Sequence, residues 1–383
     1  MTALDIDLFA ESSLRAPFDD YQRLRHAGSL VWLERPQVFA MGRFADVQAA
    51  LRSPRTLVSG QGVGLSEAFN VSQGADTLMS DGELHHRLRT AVMRPLTPKA
   101  LRPAREAFKA LIAERVDALR GRGWFDAMSE LAAFLPVQAV SHLVGLPSVG
   151  RERMLEWAGA TFNLVGPDPR PADIALLDEA RAFLASLGAE TVADGSWAGE
   201  LFAAVRAGAL TLSEAMGAIS AYVIPSLDTT ILAKGHLLAD LAGAPDEWAL
   251  VKANPTLIPN AVTESVRRSA VIRWFSRVAL EDYPAGETVL PKGQRVLLLY
   301  GSANRDERRY ADPDRFDVRR DSRDHLAWGA GVHLCVGLNL ARLEMEVLLE
   351  ALVEANATLQ VGQPTVGSNR GLYGFTRLPY RID

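Results

Sequence analysis

Apolar residues at Leu338, Ala341, Met345, Leu348, Leu349 and Leu352 recur at the three-and-four spacing of one helical face. A longer and more uniformly apolar helix is predicted from Leu212 to Ala242, interrupted by Pro225-Ser226-Leu227-Asp228-Thr229-Thr230. A proline inside a helix removes one backbone hydrogen bond and clashes with the preceding turn, a cost of about 3 kcal/mol or more. Ser226 can add to the break by bonding back to a carbonyl and bending the helix. Further helices are predicted over Pro17 to His26, Phe44 to Leu51, Pro98 to Gly121 and Met128 to Val144. Residues 151–193 read as two helices separated by the proline-rich break Gly166-Pro-Asp-Pro-Arg-Pro171. Leu30 to Leu33 and Gln37 to Met41 read as a hairpin turning at Arg35-Pro36, and Ser269 to Leu280 as extended chain. Residues 54–76 form a loop around Gly60-Gln-Gly-Val-Gly64, long enough to be either functional or disordered.

Composition narrows the class. The 383 residues are 48% hydrophobic and 23% charged, as in a soluble globular protein. Length alone suggests two or three domains. A net charge of −5 gives no support for nucleic-acid binding. The N-terminal MTALDIDLFAESS is acidic and has no apolar run, so neither a signal peptide nor a membrane anchor is expected there. The expected setting is the cytoplasm, with no membrane and no nucleic acid as partner.

The chain has one cysteine, Cys335, which rules out an intrachain disulfide. It lies between Gly329, Gly331 and His333 on one side and Gly337 on the other, just ahead of the Leu338 helix. Glycines permit close backbone approach and positive φ. A sulfur at a helix N-terminus meets unpaired N–H groups and a dipole that favours an anion, which is how a thiol becomes a thiolate ligand.

Trp328-Gly329-x-Gly331-x-His333-x-Cys335-x-Gly337 closely resembles the heme-binding loop of the cytochrome P-450 family, with tryptophan where the family usually has phenylalanine. The resemblance runs from about Pro17 to the end of the chain. It implies a mainly α fold, a large helical heme domain with a small β-rich lobe, spanning residues 1–383 as a single domain. It implies heme b (iron protoporphyrin IX) as cofactor and Cys335 as the axial thiolate, which pushes electron density towards iron.

The same resemblance extends to other motifs. His85 and Arg89 sit four apart on one helical face and match the family's His-x-x-x-Arg segment. With Arg277 and His333 they are implied to hold the heme propionates, a task suited to charge-assisted bonds. Gly337 completes the cofactor loop. Leu227-Asp228-Thr229 matches the oxygen-activation groove, whereas Pro225 and Ser226 replace its usual small residues. Asp228 and Thr229 are implied as the catalytic proton-delivery pair, which is general-acid work. Glu264-x-x-Arg267 resembles the family's buried structural pair, and residues 303–316 its meander before the heme loop.

The implied activity is monooxygenation with dioxygen. Electrons would come from a separate [2Fe-2S] ferredoxin and ferredoxin reductase, with Arg342 on the docking face. A heme–thiolate sensor and a peroxide-driven peroxygenase are rivals, and the Asp228–Thr229 pair argues against both. Gln61, Val63, Phe162, Val165, Ser220, Leu227, Ile272, Phe275 and Phe375 are the expected substrate contacts. The 60–66 loop, residues 161–167 and the Pro225 helix are most similar to the subgroup that O-demethylates para-methoxybenzoates. That subgroup grips its substrate carboxylate with cations, and here Gln61 and Ser220-Ala221 stand in their places. An unpaired buried carboxylate carries a cost of several kcal/mol. The expected substrate is therefore a small, mostly neutral aromatic of the methoxyphenol or alkyl phenol type. Arg273 is the one nearby cation able to change this. An aromatic carboxylate or a terpenoid is the alternative substrate.

Overall fold

The computed structural model describes residues 2–71, 76–147 and 153–383. Parts of the 54–76 loop and the start of the 151–193 segment lie outside these residues. Helices dominate, as expected, and pack around a core that includes Leu131, Leu135, Leu237, Leu238, Leu348 and Leu349. The amphipathic pattern at the C-terminal end gives helix Leu338–Glu354, which buries Leu348, Leu349 and Leu352 completely. It packs against helix Pro98–Leu119 and helix Ile258–Ser269.

Among the described residues, the β part is one six-stranded sheet with three small additions. Its order is Thr2–Leu4, Val31–Leu33, Val38–Met41, Arg295–Leu299, Trp274–Ala279 and Leu57–Val58. The predicted hairpin pairs antiparallel, with Trp32 opposite Phe39. Strand Val38–Met41 then joins Arg295–Leu299 in parallel. Strand Trp274–Ala279 is buried along its whole length, so its residues face either the sheet core or the cavity described below. Near the C-terminus Pro379–Ile382 pairs antiparallel with Leu359–Val361 on one side and with Phe125–Asp126 on the other.

The long apolar helix is broken as the proline predicts, into Leu212–Val223 and Asp228–Gly243. Ser226 Oγ donates to the carbonyls of Tyr222 and Val223, the latter at 3.1 Å. Together the two halves are long and apolar enough to cross a membrane by length and composition, as buried core helices also are. Met128 to Val144 is not one continuous α-helix. It opens with a π-helical turn, Met128–Ala132, before helix Phe134–Val144, and Asp126 Oδ1 accepts from the Met128 N–H at its start.

Glu264 and Arg267 are fully buried, with paired contacts of 2.8 Å, so the motif is a structural ion pair. Arg320 completes it at 2.9 Å from Glu264 Oε1, and Arg267 also donates to the carbonyls of Asn304 and Pro313. Burying charges of this kind is tolerable when each is paired and hydrogen-bonded. The cluster fixes the 304–320 segment against helix Ile258–Ser269, and so supports the loop that leads to Cys335.

Candidate active site

The Cys335 loop owes its path to two glycines. Gly329 has φ +71° and Gly331 φ +69°. A Cβ on Gly331 would lie 2.6 Å from the Leu51 carbonyl oxygen. The loop closes on itself through the Cys335 N–H, which donates to the Trp328 carbonyl at 2.9 Å. Gly337 caps helix Leu338–Glu354. Burial pushes the Cys335 thiol up, against the opposing pull of the Gly337 and Leu338 N–H groups and the Arg89 guanidinium. The helix terminus alone therefore does not make the thiolate. Iron bound at Cys335 would do so, because a coordinating thiol is deprotonated outright.

Four side chains expected at the cofactor gather beside this loop. The His85 and His333 rings lie 4.3 Å apart, and the Nε2 atom of each is buried without a hydrogen-bond partner. His333 Nε2 is 3.7 Å from Asp81, too far for a hydrogen bond. Burial is the main reason that His85 falls to about 4. Arg89 donates to the Leu334 carbonyl at 2.6 Å, and Arg277 to the Ser276 carbonyl at 2.8 Å. Both guanidiniums also line the cavity above Cys335. Burial pulls both guanidiniums down, a penalty that an anion in their midst would relieve. Two orphaned imidazole nitrogens and two cavity-facing guanidiniums fit the two carboxylates of heme b. Leu96, Val266, Ala327, Leu340, Ala341 and Met345 give the apolar walls that fit its ring.

Asp81 accepts from the N–H groups of Ser59, at 3.1 Å, and Gly60. These bonds hold the glycine-rich loop against the start of helix Gly82–Met93, which carries His85 and Arg89.

At the helix break, Thr229 Oγ1 donates to the Pro225 carbonyl at 2.6 Å. Thr229, Thr230, Pro225 and Ser226 line the cavity, whereas Asp228 and Leu227 do not. No cation stands by Asp228 among the described residues, and burial alone pushes its carboxyl up to about 7. A carboxyl poised there suits general acid work near neutral pH. Heme, when bound in this cavity, would supply the activation of dioxygen.

The expected substrate residues divide. Phe162, Ser220, Ile272 and Phe275 line the cavity. Val63 and Val165 are instead fully buried in the sheet-side core, and Leu227 packs in the helical core. Phe375 lies against the His236 ring, 4.5 Å between centroids, outside the cavity wall. Gln61 is exposed, and its carbonyl accepts from Arg295 at 2.9 Å. Its place on the exposed tip of the loop removes it from the wall. Arg273 is committed elsewhere: it donates to the carbonyls of Leu14, Asn369 and Leu372. Phe69, Thr161, Ile224 and Tyr300 are wall residues that the sequence reading missed. Tyr300 arrives through strand pairing, since Trp274 lies opposite Leu299, a relation with no sequence signal.

Comparison with known proteins agrees with this architecture. The cytochrome P450 family model matches residues 252–365. Cytochrome p450 CYP199A2 of Rhodopseudomonas palustris is 34% identical, covering 99% of this chain and 94% of that protein. Cytochrome P450 107B1 of Saccharopolyspora erythraea is 30% identical over 87% of this chain and 84% of its own. The crystal structure of epothilone D-bound cytochrome P450epoK superposes with a TM-score of 0.88 at 26% identity, covering 99% of both chains. Such likeness over nearly the whole length, on a cavity that fits heme, shows that the chain belongs to the cytochrome P450 family and is a monooxygenase that uses heme b.

Proposed function

We propose that this monooxygenase hydroxylates or O-demethylates a compact, mostly neutral aromatic such as a methoxyphenol or an alkyl phenol. The observation that carries the reading is the placing of charge around the cavity. Among the described residues, the only lysine or arginine side chains lining it are Arg89 and Arg277, and both belong to the heme cradle. Arg273 is spent on backbone carbonyls. A substrate carboxylate would have no cation of its own, and an uncompensated buried charge costs several kcal/mol. Phe69, Phe162, Ile272 and Phe275 offer flat apolar surface, and Ser220 and Thr161 offer hydroxyls to a phenol.

In this reading Cys335 is the axial ligand, His85, Arg89, Arg277 and His333 hold the propionates, and Gly337 starts the proximal helix. Asp228 and Thr229 deliver protons for dioxygen activation. Electrons come from a [2Fe-2S] ferredoxin and its reductase in the cytoplasm. The ferredoxin docks on the face formed by Val332 and Leu334, 44% and 38% exposed, beside Arg342.

The test is to titrate matched pairs, a methoxybenzoate against the corresponding methoxyphenol, and follow the low-spin to high-spin shift. The phenol is expected to bind at least tenfold tighter, with the gap narrowed by Ser220→Ala. Equal or tighter binding of the benzoate overturns the substrate assignment. NADPH-dependent oxygen uptake with a ferredoxin pair separates a monooxygenase of this kind from a sensor or a peroxygenase.

A further inference from the structure

Helix Met154–Leu164 roofs the helix break and presents Gly159 to Asp228. A Cβ on Gly159 would lie 3.3 Å from Asp228 Oδ2, closer than ordinary van der Waals contact. Glycine in a helix interior is destabilising relative to alanine, so its presence there asks for a packing reason. The roof cannot simply recoil, because Asn369 Nδ2 donates to the Gly159 carbonyl at 2.9 Å. Asn369 is itself held, its Oδ1 accepting from the Gly371 and Leu372 N–H groups at 2.9 and 3.0 Å.

Among the described residues, the Asp228 side chain makes no hydrogen bond or ion pair. It is absent from the cavity wall, although Ser226, Thr229 and Thr230 are part of it. The carboxyl thus faces the roof helix while the hydroxyl beside it faces the cavity. A carboxylate clamped by arginine or lysine would be pinned in one rotamer, and this one is not.

We propose that Gly159 is a positioning residue for proton delivery: its missing side chain leaves the Asp228 carboxyl room to rotate between the roof and the cavity. This rests on the reading of Asp228 and Thr229 as the proton-delivery pair. On the roof side the carboxylate takes one proton from solvent hydronium, forming an O–H bond. On the cavity side that O–H bond breaks as the proton bonds to Thr229 Oγ1, whose own proton is released into the cavity, leaving the carboxylate. No electron moves in either half.

The experiment combines Gly159→Ala and Gly159→Val with Asp228→Asn in a double-mutant cycle on the heme-loaded protein. It measures the share of reducing equivalents lost to hydrogen peroxide with a substrate the parent oxidises. Gly159→Ala is expected to raise that share several-fold and Gly159→Val further, with the substrate's spin-shift affinity unchanged. In the Asp228→Asn background the same substitutions are expected to add nothing, because non-additivity marks residues acting through one another. Infrared spectroscopy gives a second readout: the protonated carboxyl C=O band lost in Asp228→Asn should shift in Gly159→Ala. Parental coupling in both Gly159 variants overturns the inference. So does equal extra uncoupling in the Asn background, which would mark plain packing. If Gly159→Val fails to take up heme, the alanine variant and the carboxyl band decide. If Asp228→Asn itself couples as the parent does, the proton-delivery reading falls and the role of Gly159 with it.

Discussion

Lys234 and Glu344 form an ion pair of 3.0 Å with 0% and 2% of their side chains exposed, joining the helix after the break to the helix after Cys335. The two helices flank the heme cavity, through Thr230 and Ala233 on one and Ala341 and Met345 on the other. Burial pulls the lysine down and the glutamate up, and each partner's charge opposes that shift. Removing one partner of such a pair leaves an uncompensated charge and costs about 3–5 kcal/mol, whereas replacing both by apolar groups is often neutral. Lys234→Met and Glu344→Leu should each lower the denaturation midpoint sharply, and the double variant should recover most of the loss. Urea melts of all four proteins check this, and equal losses in the double and single variants would contradict it.

Ligation is tested at Cys335. Reduced protein with carbon monoxide should show the strongly red-shifted Soret band of a thiolate heme, and Cys335→His should abolish it. A normal band in that variant would remove Cys335 from the iron. Because burial keeps the free thiol protonated, heme uptake by the apoprotein should release a proton, measurable with a pH indicator in weak buffer.

Asp228 gives a pH prediction with a definite sign. Its carboxyl is raised to about 7 in the folded protein, against 3.8 as the ordinary value. The folded state therefore holds a proton that the unfolded chain gives up between these limits. The stability from this group is fully present below about pH 4 and is lost as pH rises through about 7. Asp228→Asn should be more stable relative to the parent at pH 8 than at pH 5, measured by thermal melts. For turnover, coupling in the parent should fall as pH rises through 7, and Asp228→Asn should be slower and flat. Thr229→Ala should keep substrate binding but divert reducing equivalents to hydrogen peroxide.

Gly331→Ala is expected to be more damaging than its size suggests. The new Cβ meets the Leu51 carbonyl and must adopt φ +69°. The left-handed conformation by itself costs an L-residue about 1–2 kcal/mol. The variant should bind heme poorly, and the absorbance ratio of the Soret band to the protein band measures that directly.

Local chemistry was legible in the sequence and side-chain commitment was not. The break at Pro225 and the back-bonding of Ser226 follow from what proline and serine do to a helix, and the hairpin at residues 30–41 follows from two short apolar runs either side of Arg35-Pro36. The heme loop announces itself because its glycines and its cysteine are close neighbours in the chain. Arg320 was invisible as the third member of the Glu264 cluster, since 56 residues separate them and no spacing rule links them. Gln61 read as a substrate contact because it stands where the resembled subgroup carries its loop arginine. The loop's folding sets that residue outside and brings Phe69 to the wall instead. Helix-terminal position suggested an acidic thiol at Cys335, whereas desolvation, which no local pattern encodes, pushes the thiol up against the pull of the Gly337 and Leu338 N–H groups.

Arg273 couples distant parts of the chain mechanically. Its guanidinium holds the carbonyl of Leu14 on one side and those of Asn369 and Leu372 on the other, while its own N–H donates to Gly371. The next residue on each side is Ile272, which lines the cavity, and Trp274, which begins the buried strand. A graft, a tag or a deletion close to Leu14 would therefore slacken a cavity wall more than 250 residues away. Anyone reshaping this enzyme for a larger substrate has a handle there that lies outside the cysteine loop, and one that reaches Asn369 and the roof helix as well.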